Sequence, residues 1–436
     1  MCKVSIIMPS LNVVDYIDEC ILSALRQTLR DIEIICVDAG STDGTWEKLV
    51  SYSERYKDKI TLVHSDIKSY GYQVNIGIRR ATGDYVAILE TDDYIVPQMY
   101  EYLYNIGEKN DVQIVKADFD SFFSFPSGER EFRRIKLWNE NQNRYNIIID
   151  PRYVSYLYPN DYNVWKGIYK RQFLLDNDIF FNESKGAAYQ DIGFSEQVLA
   201  CCERAYYSDM SFYRYRIDRE MSSVNSVHGL EYSYYEFKRL LEDIQINTKL
   251  VCECGLYRHM AQSFCGELLR TLRGVNYDID SEHIIPYYKW FKEKLSGAID
   301  KRIVTLDMCM PELKKMLNNI NGFSDELREK DSDIKNRERQ ILDKVIERRA
   351  VIFGAGIRGK SALSFLRRNV IDVIGICDND QKKWGSTVDG YSIFSPLECM
   401  KKYNDCIYVI ANAKCSEEIQ QQIINAGVNT ANIVTY

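Results

Sequence analysis

The sequence predicts an α/β protein built on a mainly parallel sheet, with a helical middle region and a second, smaller α/β domain towards its C-terminal end. Three observations carry this reading. Short apolar runs alternate with helically spaced segments over the first hundred residues. Polar and acidic residues follow several of those runs directly. From Ala350 a new strand–turn–helix pattern begins. Size and composition agree. A chain of 436 residues suggests two to four domains, and 45% hydrophobic with 27% charged residues is ordinary for a protein that buries large cores.

Val4–Met8 reads as a buried strand. Tyr16–Leu29 has apolar residues at 17, 21, 22, 25 and 29, the spacing of an amphipathic helix. Ile32–Val37 is the second strand and ends at Asp38. Gly40-Ser41-Thr42-Asp43-Gly44 is a turn, followed by a helix over Trp46–Tyr56. The strand Ile60–His64, a helix over Tyr72–Ala81 and the strand Tyr85–Leu89 complete the series, and the last runs into Glu90-Thr91-Asp92-Asp93. Such alternation argues for a parallel sheet covered on both faces, in which ligands bind beyond the carboxyl ends of the strands.

Val112–Ala117 reads as a further strand. The stretch from Tyr145 to Tyr235 is crowded with tyrosine, which core and loop packing explains more readily than stacking on a ligand. The segment after it is mainly helical. In the charged stretch 324–349, Leu327, Ile334 and Ile341 lie one heptad apart, but Asp331 and Glu338 occupy the second seam. A solvated connecting helix is therefore expected rather than a coiled coil. The expected domains are 1–225 (halves 1–120 and 121–225), a helical region with a charged linker over 226–349, and 350–436.

The formal charge of −7 argues against a nucleic-acid partner, which needs a concentrated basic face. Thirteen scattered cysteines suit buried reduced thiols. Cys252, Cys254 and His259 form a metal-like cluster but lack a second ligand pair, so zinc is not expected there. No basic n-region and apolar core follow Met1, so no signal peptide is expected. No run of eighteen apolar residues exists, so no membrane span is expected. A cytoplasmic location follows, with any membrane contact peripheral on the inner face. A homo-oligomer is compatible with the sequence.

Four features of the first part point to chemistry. Asp38 closes an apolar strand, and Asp43 lies in the turn after it. Pro9-Ser10-Leu11-Asn12 ends the first strand and offers backbone and side-chain groups to a ligand. Glu90-Thr91-Asp92-Asp93 sets three carboxylates within four residues. Like charges so close need compensation, and a hard cation with oxygen ligands, Mn²⁺ or Mg²⁺, is the natural one. Alone, an acidic tetrapeptide is more often a solvated loop or a helix cap.

As a set, Val4–Asn12, Val37–Thr45 and Ala81–Asp93 resemble the family 2 glycosyltransferases of the GT-A fold. A weaker match continues at Trp165–Arg171, Tyr189–Phe194, Tyr215-Arg216 and Ser222-Ser223, in the pattern of bacterial members that build cell-surface polymers. The resemblance implies a metal-dependent inverting transfer of a sugar from a nucleotide donor, UDP-linked, to a hydroxyl of a surface glycan or lipid-linked precursor. It implies that Pro9, Ser10 and Asn12 surround the base and ribose, and that Asp38 accepts a hydrogen bond from the pyrimidine. Glu90, Thr91 and Asp92 match the D-x-D motif, with Asp92 as the metal ligand. Asp191 matches the general base, and Tyr215-Arg216 a position near the diphosphate, which Arg214 and Arg219 could also reach. Three departures stand out. Glu90 replaces the usual aspartate and reaches one methylene further. Leu11 stands where an aromatic often stacks on the base. Gln190 replaces the usual glutamate beside the general base. On local sequence alone Asp191 also reads as a carboxylate capping the helix at Ile192–Ala200. His228 lies near the same loop as Ser222-Ser223, with its role open.

In the last part, the strand from Ala350 meets Gly354-x-Gly356-x-x-Gly359, and a helix runs through Arg368. The next strand, Ile371–Cys377, ends at Asp378, 22 positions after Gly356, about where a ribose-binding carboxylate belongs. Cys406–Ala411 is a later strand. The segment resembles the small Rossmann-like domains appended to sugar-modifying enzymes, and Gly354, Gly356, Gly359 and Asp378 are its candidate contacts to a nucleotide or NAD(P). The rival reading of the whole chain is a NAD-dependent sugar-modifying enzyme or ligand-sensing scaffold acting through this domain.

Overall fold

A computed structural model describes residues 2–124, 129–139, 143–218, 227–251, 253–412 and 414–436. Arg219, Ser222, Ser223 and Cys252 lie outside the described residues. The chain divides into two units, Met1–Asn321 and Gly322–Tyr436.

The first unit opens with four parallel strands, β1 (Val4–Ser10), β2 (Ile32–Asp38), β3 (Ile60–His64) and β4 (Tyr85–Ile88), in the order β3-β2-β1-β4. All seven residues of β1 are buried, so its sequence shows no in–out alternation. Three helices connect the strands: α1 (Ile17–Leu25), α2 (Thr45–Arg55) and α3 (Tyr70–Arg80). α3 packs on β1 and β2. Its Gly77 permits the approach, because a Cβ there would stand 2.4 Å from Ile7 Cγ2. The first helix is shorter than the expected Tyr16–Leu29. Beyond Leu25 the Gln27 side-chain amide donates to the Val96 carbonyl and the Thr28 N–H to the Pro97 carbonyl. The backbone there serves a neighbouring loop instead of another helical turn.

Past β4 the sheet changes character. Among the described residues come β5 (Tyr94–Ile95), β6 (Ile114–Ser124), β7 (Arg130–Ile135), β8 (Ile148–Ile149), β9 (Gly167–Lys170) and β10 (Ala205–Arg216). β9 lies antiparallel between β4 and β6, β10 runs parallel to β6, and β5 pairs antiparallel with the end of β10. β7 and β8 add to β6 and β10. β6 extends to Ser124, held by pairing with β7 and β10, beyond the expected Ala117, where Asp118, Asp120 and Ser121 interrupt the apolar run. Two of these are themselves buried, Asp118 and Ser121.

Helices α4 (Met99–Asn110), α5 (Arg171–Asp176), α6 (Gln190–Cys201), α7 (Gly229–Lys238), α8 (Glu253–Gly274), α9 (Ile285–Asp300) and α10 (Leu313–Asn318) complete this unit. Beneath β6 and β9, Lys116 and Lys166 share one carboxylate, Asp161, at 3.0 and 2.8 Å, all three buried. The Tyr207 hydroxyl adds a bond to Asp161 at 2.8 Å. Burial lowers Lys116 to about 8, despite its carboxylate partner.

The second unit holds α11 (Ile320–Val345, which starts at the boundary), β11 (Ala350–Phe353), α12 (Ile357–Arg368), β12 (Val373–Cys377), β13 (Thr387–Val388), β14 (Tyr391–Phe394), α13 (Pro396–Lys402), β15 (Ile407–Ile410), α14 (Ser416–Asn425) and β16 (Ile433–Thr435). The sheet order is β13-β14-β12-β11-β15-β16, parallel throughout except at β13. β11 is buried in full, and a hydrophobic core lies on each face. Ile341 and Val345 of α11 join one of these cores, whereas Ile334 is 43% exposed, so no continuous heptad seam forms.

Gly77→Ala gains about 1 kcal/mol of helix propensity but drives a methyl into the Ile7 side chain. Overpacking of this kind costs about 1–3 kcal/mol. The expected outcome is a net loss of stability, read as a lower urea midpoint at unchanged m-value.

Candidate active site

The carboxyl ends of β1, β2 and β4 carry the residues singled out above. Asp38 is fully buried, and its carboxylate organises the turn after β2. Oδ2 accepts from the Gly40 and Ser41 N–H groups at 2.9 Å each, and Oδ1 from the Ser41 hydroxyl at 2.5 Å. The turn is laced to the loop after β1. Asn12 N–H donates to Ser41 Oγ, its side-chain carbonyl accepts from Thr42 N–H, and Val14 N–H donates to Asp43 Oδ2, each at 2.9 Å. Burial opposes the charge on Asp43, but bonds from Thr45 and Val14 outweigh it and hold its carboxyl below the usual range. Asn12 is exposed and takes a positive φ of 52°, a conformation asparagine tolerates better than most residues. Ser10 is buried, and Gln73 of α3 bridges the Ser10 and Val37 carbonyls at 3.0 and 3.3 Å. Pro9 offers its carbonyl to the Thr91 hydroxyl at 2.9 Å. One connected network thus holds Pro9, Ser10, Asn12, Asp38 and Thr91.

The acidic tetrapeptide separates into different roles. Asp93 is buried, and its carboxylate accepts from the Arg216 N–H at 2.7 Å and the Tyr213 hydroxyl at 2.8 Å. Burial first, and then the charge of Asp92, push its carboxyl well above the usual range. The Tyr213 hydroxyl also accepts from the Glu90 N–H at 3.2 Å. Glu90 Oε1 accepts from the Tyr70 hydroxyl at 2.5 Å. Glu90 and Asp92 are partly exposed at the rim. Trp165 supports this floor by stacking on Tyr213 and Tyr215, with ring centroids 4.3 and 5.2 Å away. Half-buried carboxylates crowded in this way are hard oxygen donors of the kind a divalent cation requires, and Glu90 and Asp92 fit that group.

Asp191 sits in the first turn of α6 and accepts from the Ile192 N–H at 3.0 Å. Burial raises its carboxyl to about 6. Its charge is felt by Tyr70, Tyr162, Tyr215 and Glu236, which places it among them. Tyr70 is thus bonded to Glu90 and also feels the charge of Asp191. The loop before α6 is tied to the same helix start: Tyr70 N–H donates to the Gly186 carbonyl at 2.9 Å. Gln190 donates to Ser184 Oγ at 2.9 Å and to the Gly186 carbonyl at 3.2 Å, work a glutamate could not do. Behind Asp191, Gly193 faces the buried Glu236, whose Oε2 would stand 2.2 Å from a Cβ at that position. Burial pushes Glu236 up to about 8.

Arg216 reaches the rim through its backbone and its Nε, which donates to the Asp92 carbonyl at 2.8 Å. Its guanidinium pairs with Glu19 at 2.9 Å and packs over the rings of Tyr16 and Phe122. Arg214 pairs with Asp120 at 2.9 Å. Sequence reasoning missed Tyr70, Gln73, Tyr213 and Glu236. Of these, Tyr213 carried a signal, standing two residues before the Tyr215-Arg216 pair.

Comparison with known proteins bears on the N-terminal domain. Residues 5–168 match the family model described as glycosyl transferase family 2. The chain carries a family 2 glycosyltransferase domain. It is an enzyme of glycosyl transfer. An uncharacterised glycosyltransferase, YibD of Escherichia coli strain K12, is 28% identical over 313 residues, covering 70% of this chain and 87% of the relative. The cholesterol galactosyltransferase of Borreliella burgdorferi is 24% identical over 307 residues, covering 69% and 83%. Among solved structures, S. aureus TarS 1–349 in complex with UDP-GlcNAc aligns with a TM-score of 0.52 at 19% identity over 75% of this chain and 89% of that one, a likeness of fold. Residues 346–434 of the glycosyltransferase match a separate family model, described as C2185-like, N-terminal. No helix among the described residues is long and apolar enough to cross a membrane.

In that C-terminal part, Gly354 adopts a φ of +117°, and a Cβ on Gly359 would stand 1.8 Å from the Gly354 carbonyl oxygen. Asp378 turns back on this loop, accepting from the Ala355 N–H at 2.7 Å and from Lys383 at 3.0 Å. Although burial opposes it, these bonds keep the Asp378 carboxyl below the usual range.

The rim distinguishes two neighbouring aspartates. Asp93→Ala leaves the Arg216 N–H and the Tyr213 hydroxyl without their acceptor and is expected to cost about 2–4 kcal/mol. Asp92→Ala is expected to change stability by about 0.5 kcal/mol or less. Paired chemical denaturation of the two variants checks the contrast.

Proposed function

We propose that this glycosyltransferase moves a sugar from a UDP-linked donor to a hydroxyl of a cell-surface glycan or lipid-linked precursor, with inversion at the anomeric carbon and dependence on Mn²⁺ or Mg²⁺. The observation that supports the reading is Tyr70, whose hydroxyl is bonded to Glu90 of the rim and which also feels the charge of Asp191, the carboxyl that burial raises to about 6.

Asp38 spends three acceptor directions on its own turn, and a carboxylate offers about four. Fully buried, Asp38 would shape the pyrimidine pocket by holding that turn in place. Pro9, Ser10 and Asn12 form the wall beside it. Glu90 and Asp92 would hold the divalent cation, which when bound neutralises charge on a departing diphosphate. Asp191 takes the proton of the acceptor hydroxyl while its oxygen forms the new bond to the anomeric carbon. The bond from that carbon to the diphosphate oxygen breaks, and the electron pair leaves with the nucleotide. One displacement with one base inverts the centre. Arg216 positions the Asp92 backbone. The C-terminal unit, with its glycine turn, serves as a binding or assembly module for a nucleotide or a partner.

The test is a screen of nucleotide sugars for release of nucleoside diphosphate, with and without Mn²⁺. Metal-dependent release from a UDP-sugar supports the proposal, and release from none overturns it. Asp191→Asn is expected to lower kcat by about 10²–10⁴-fold with nucleotide binding retained. In the parent, the rate should rise with pH through about 6 and then level, because below that pH Asp191 already carries the proton it must accept. A pH-independent rate between 5 and 8 would reject Asp191 as the base.

A further inference from the structure

Away from the acidic rim, one trio of side chains stands out. His228 precedes α7, Glu231 lies in its first turn, and His283 comes from the turn before α9. Their potential ligand atoms all lie within 4.8 Å of one another, and among the described residues no other trio of His, Cys, Asp or Glu does this. We propose that His228, Glu231 and His283 form a binding site for a zinc-class divalent ion.

An ordinary i,i+3 side-chain contact accounts for the first pair, since Glu231 Oε2 lies 2.9 Å from His228 Nδ1 three residues back. It does not account for His283. That ring stands perpendicular to the His228 ring with centroids 4.8 Å apart. The chain has four histidines in all, and two of them meet here. Both are held by their backbones. The His228 carbonyl accepts from Tyr232 N–H at 2.9 Å, and His283 N–H donates to Ser281 Oγ at 3.3 Å.

Two imidazoles and a carboxylate make a donor set that zinc favours, with a fourth position left for water. Bonds of about 2.0–2.1 Å in a tetrahedral site put ligand atoms about 3.3 Å apart. The observed spread of up to 4.8 Å would close to that value as the side chains rotate onto a bound ion. His228 is 41% exposed and Glu231 24%, so an ion can enter from solvent. Tyr287, on α9, is raised by burial and by the neighbouring Glu231 carboxylate, and its hydroxyl would orient that carboxylate, as outer partners of metal ligands do. A bound ion would clamp the start of α7 to the turn before α9. α7 is also the helix whose Glu236 packs against Gly193, so the clamp would stiffen the wall behind Asp191 without taking part in the chemistry.

The full chain, stripped with a chelator, is titrated with Zn²⁺ alone against a chromophoric competitor. One equivalent is expected to bind, His283→Ala and Glu231→Gln should each weaken it by about 10–100-fold, and Asp92→Ala should leave it unchanged. Failure of the parent to bind, or parent-like affinity in both variants, overturns the proposal. Co²⁺ serves as a second probe that needs no variant. Visible bands of a tetrahedral nitrogen–oxygen site support the assignment. A thiolate-to-metal charge-transfer band would place the ion on cysteine and overturn it.

Discussion

Carboxylates crowded at the end of one strand repel each other, and most of the architecture around β4 deals with that repulsion. Asp93 is taken into the interior and bound by a tyrosine hydroxyl and a backbone amide from β10. Glu90 is held by a tyrosine from the start of α3. Asp92 lies between these anchors, and Arg216 fixes its backbone carbonyl. The anchors come from two elements distant in sequence, β10 and α3. The local sequence concentrates the charge, and tertiary structure distributes it.

This division explains what could be read in advance. Strands buried on both faces announce themselves as continuous apolar runs, so β1 and β2 emerged with bounds close to those observed, and the partly exposed β3 was read from its β-branched and apolar residues. Asp38 was legible because it ends such a run. Tyr70 and Gln73 were not, because their partners lie 20 and 63 residues away and nothing in their own neighbourhood marks them. β6 was read short because its second half carries aspartates that are satisfied only in three dimensions. Leu25 ends α1 for a similar reason: the competing hydrogen bonds come from residues about seventy positions later. Roles that depend on a residue's own chemistry survive in the sequence, while roles assigned by a distant neighbour do not.

Burial does opposite work on the two ionisable classes in the first unit. It lifts Asp191 to about 6 and Glu236 to about 8, and it lowers Lys116 to about 8. Asp191 gains basicity from its surroundings without a like-charged neighbour at position 190, where glutamine replaces the acid expected there. The amide instead ties down the loop before α6, so the position trades electrostatic influence for geometric control of the same carboxylate.

The placement of β9 has a consequence for how the chain is made. β9 spans Gly167–Lys170 yet fills the gap between β4 and β6, which lie up to eighty residues earlier. During synthesis the nucleotide-side strands can assemble in order, but both β4 and β6 keep an open edge until the ribosome has delivered residue 170. Unpaired edges of this kind recruit strands from other molecules. A four-residue strand thus joins the two parts of the sheet, and the far edge of β6 stays open until β10 follows.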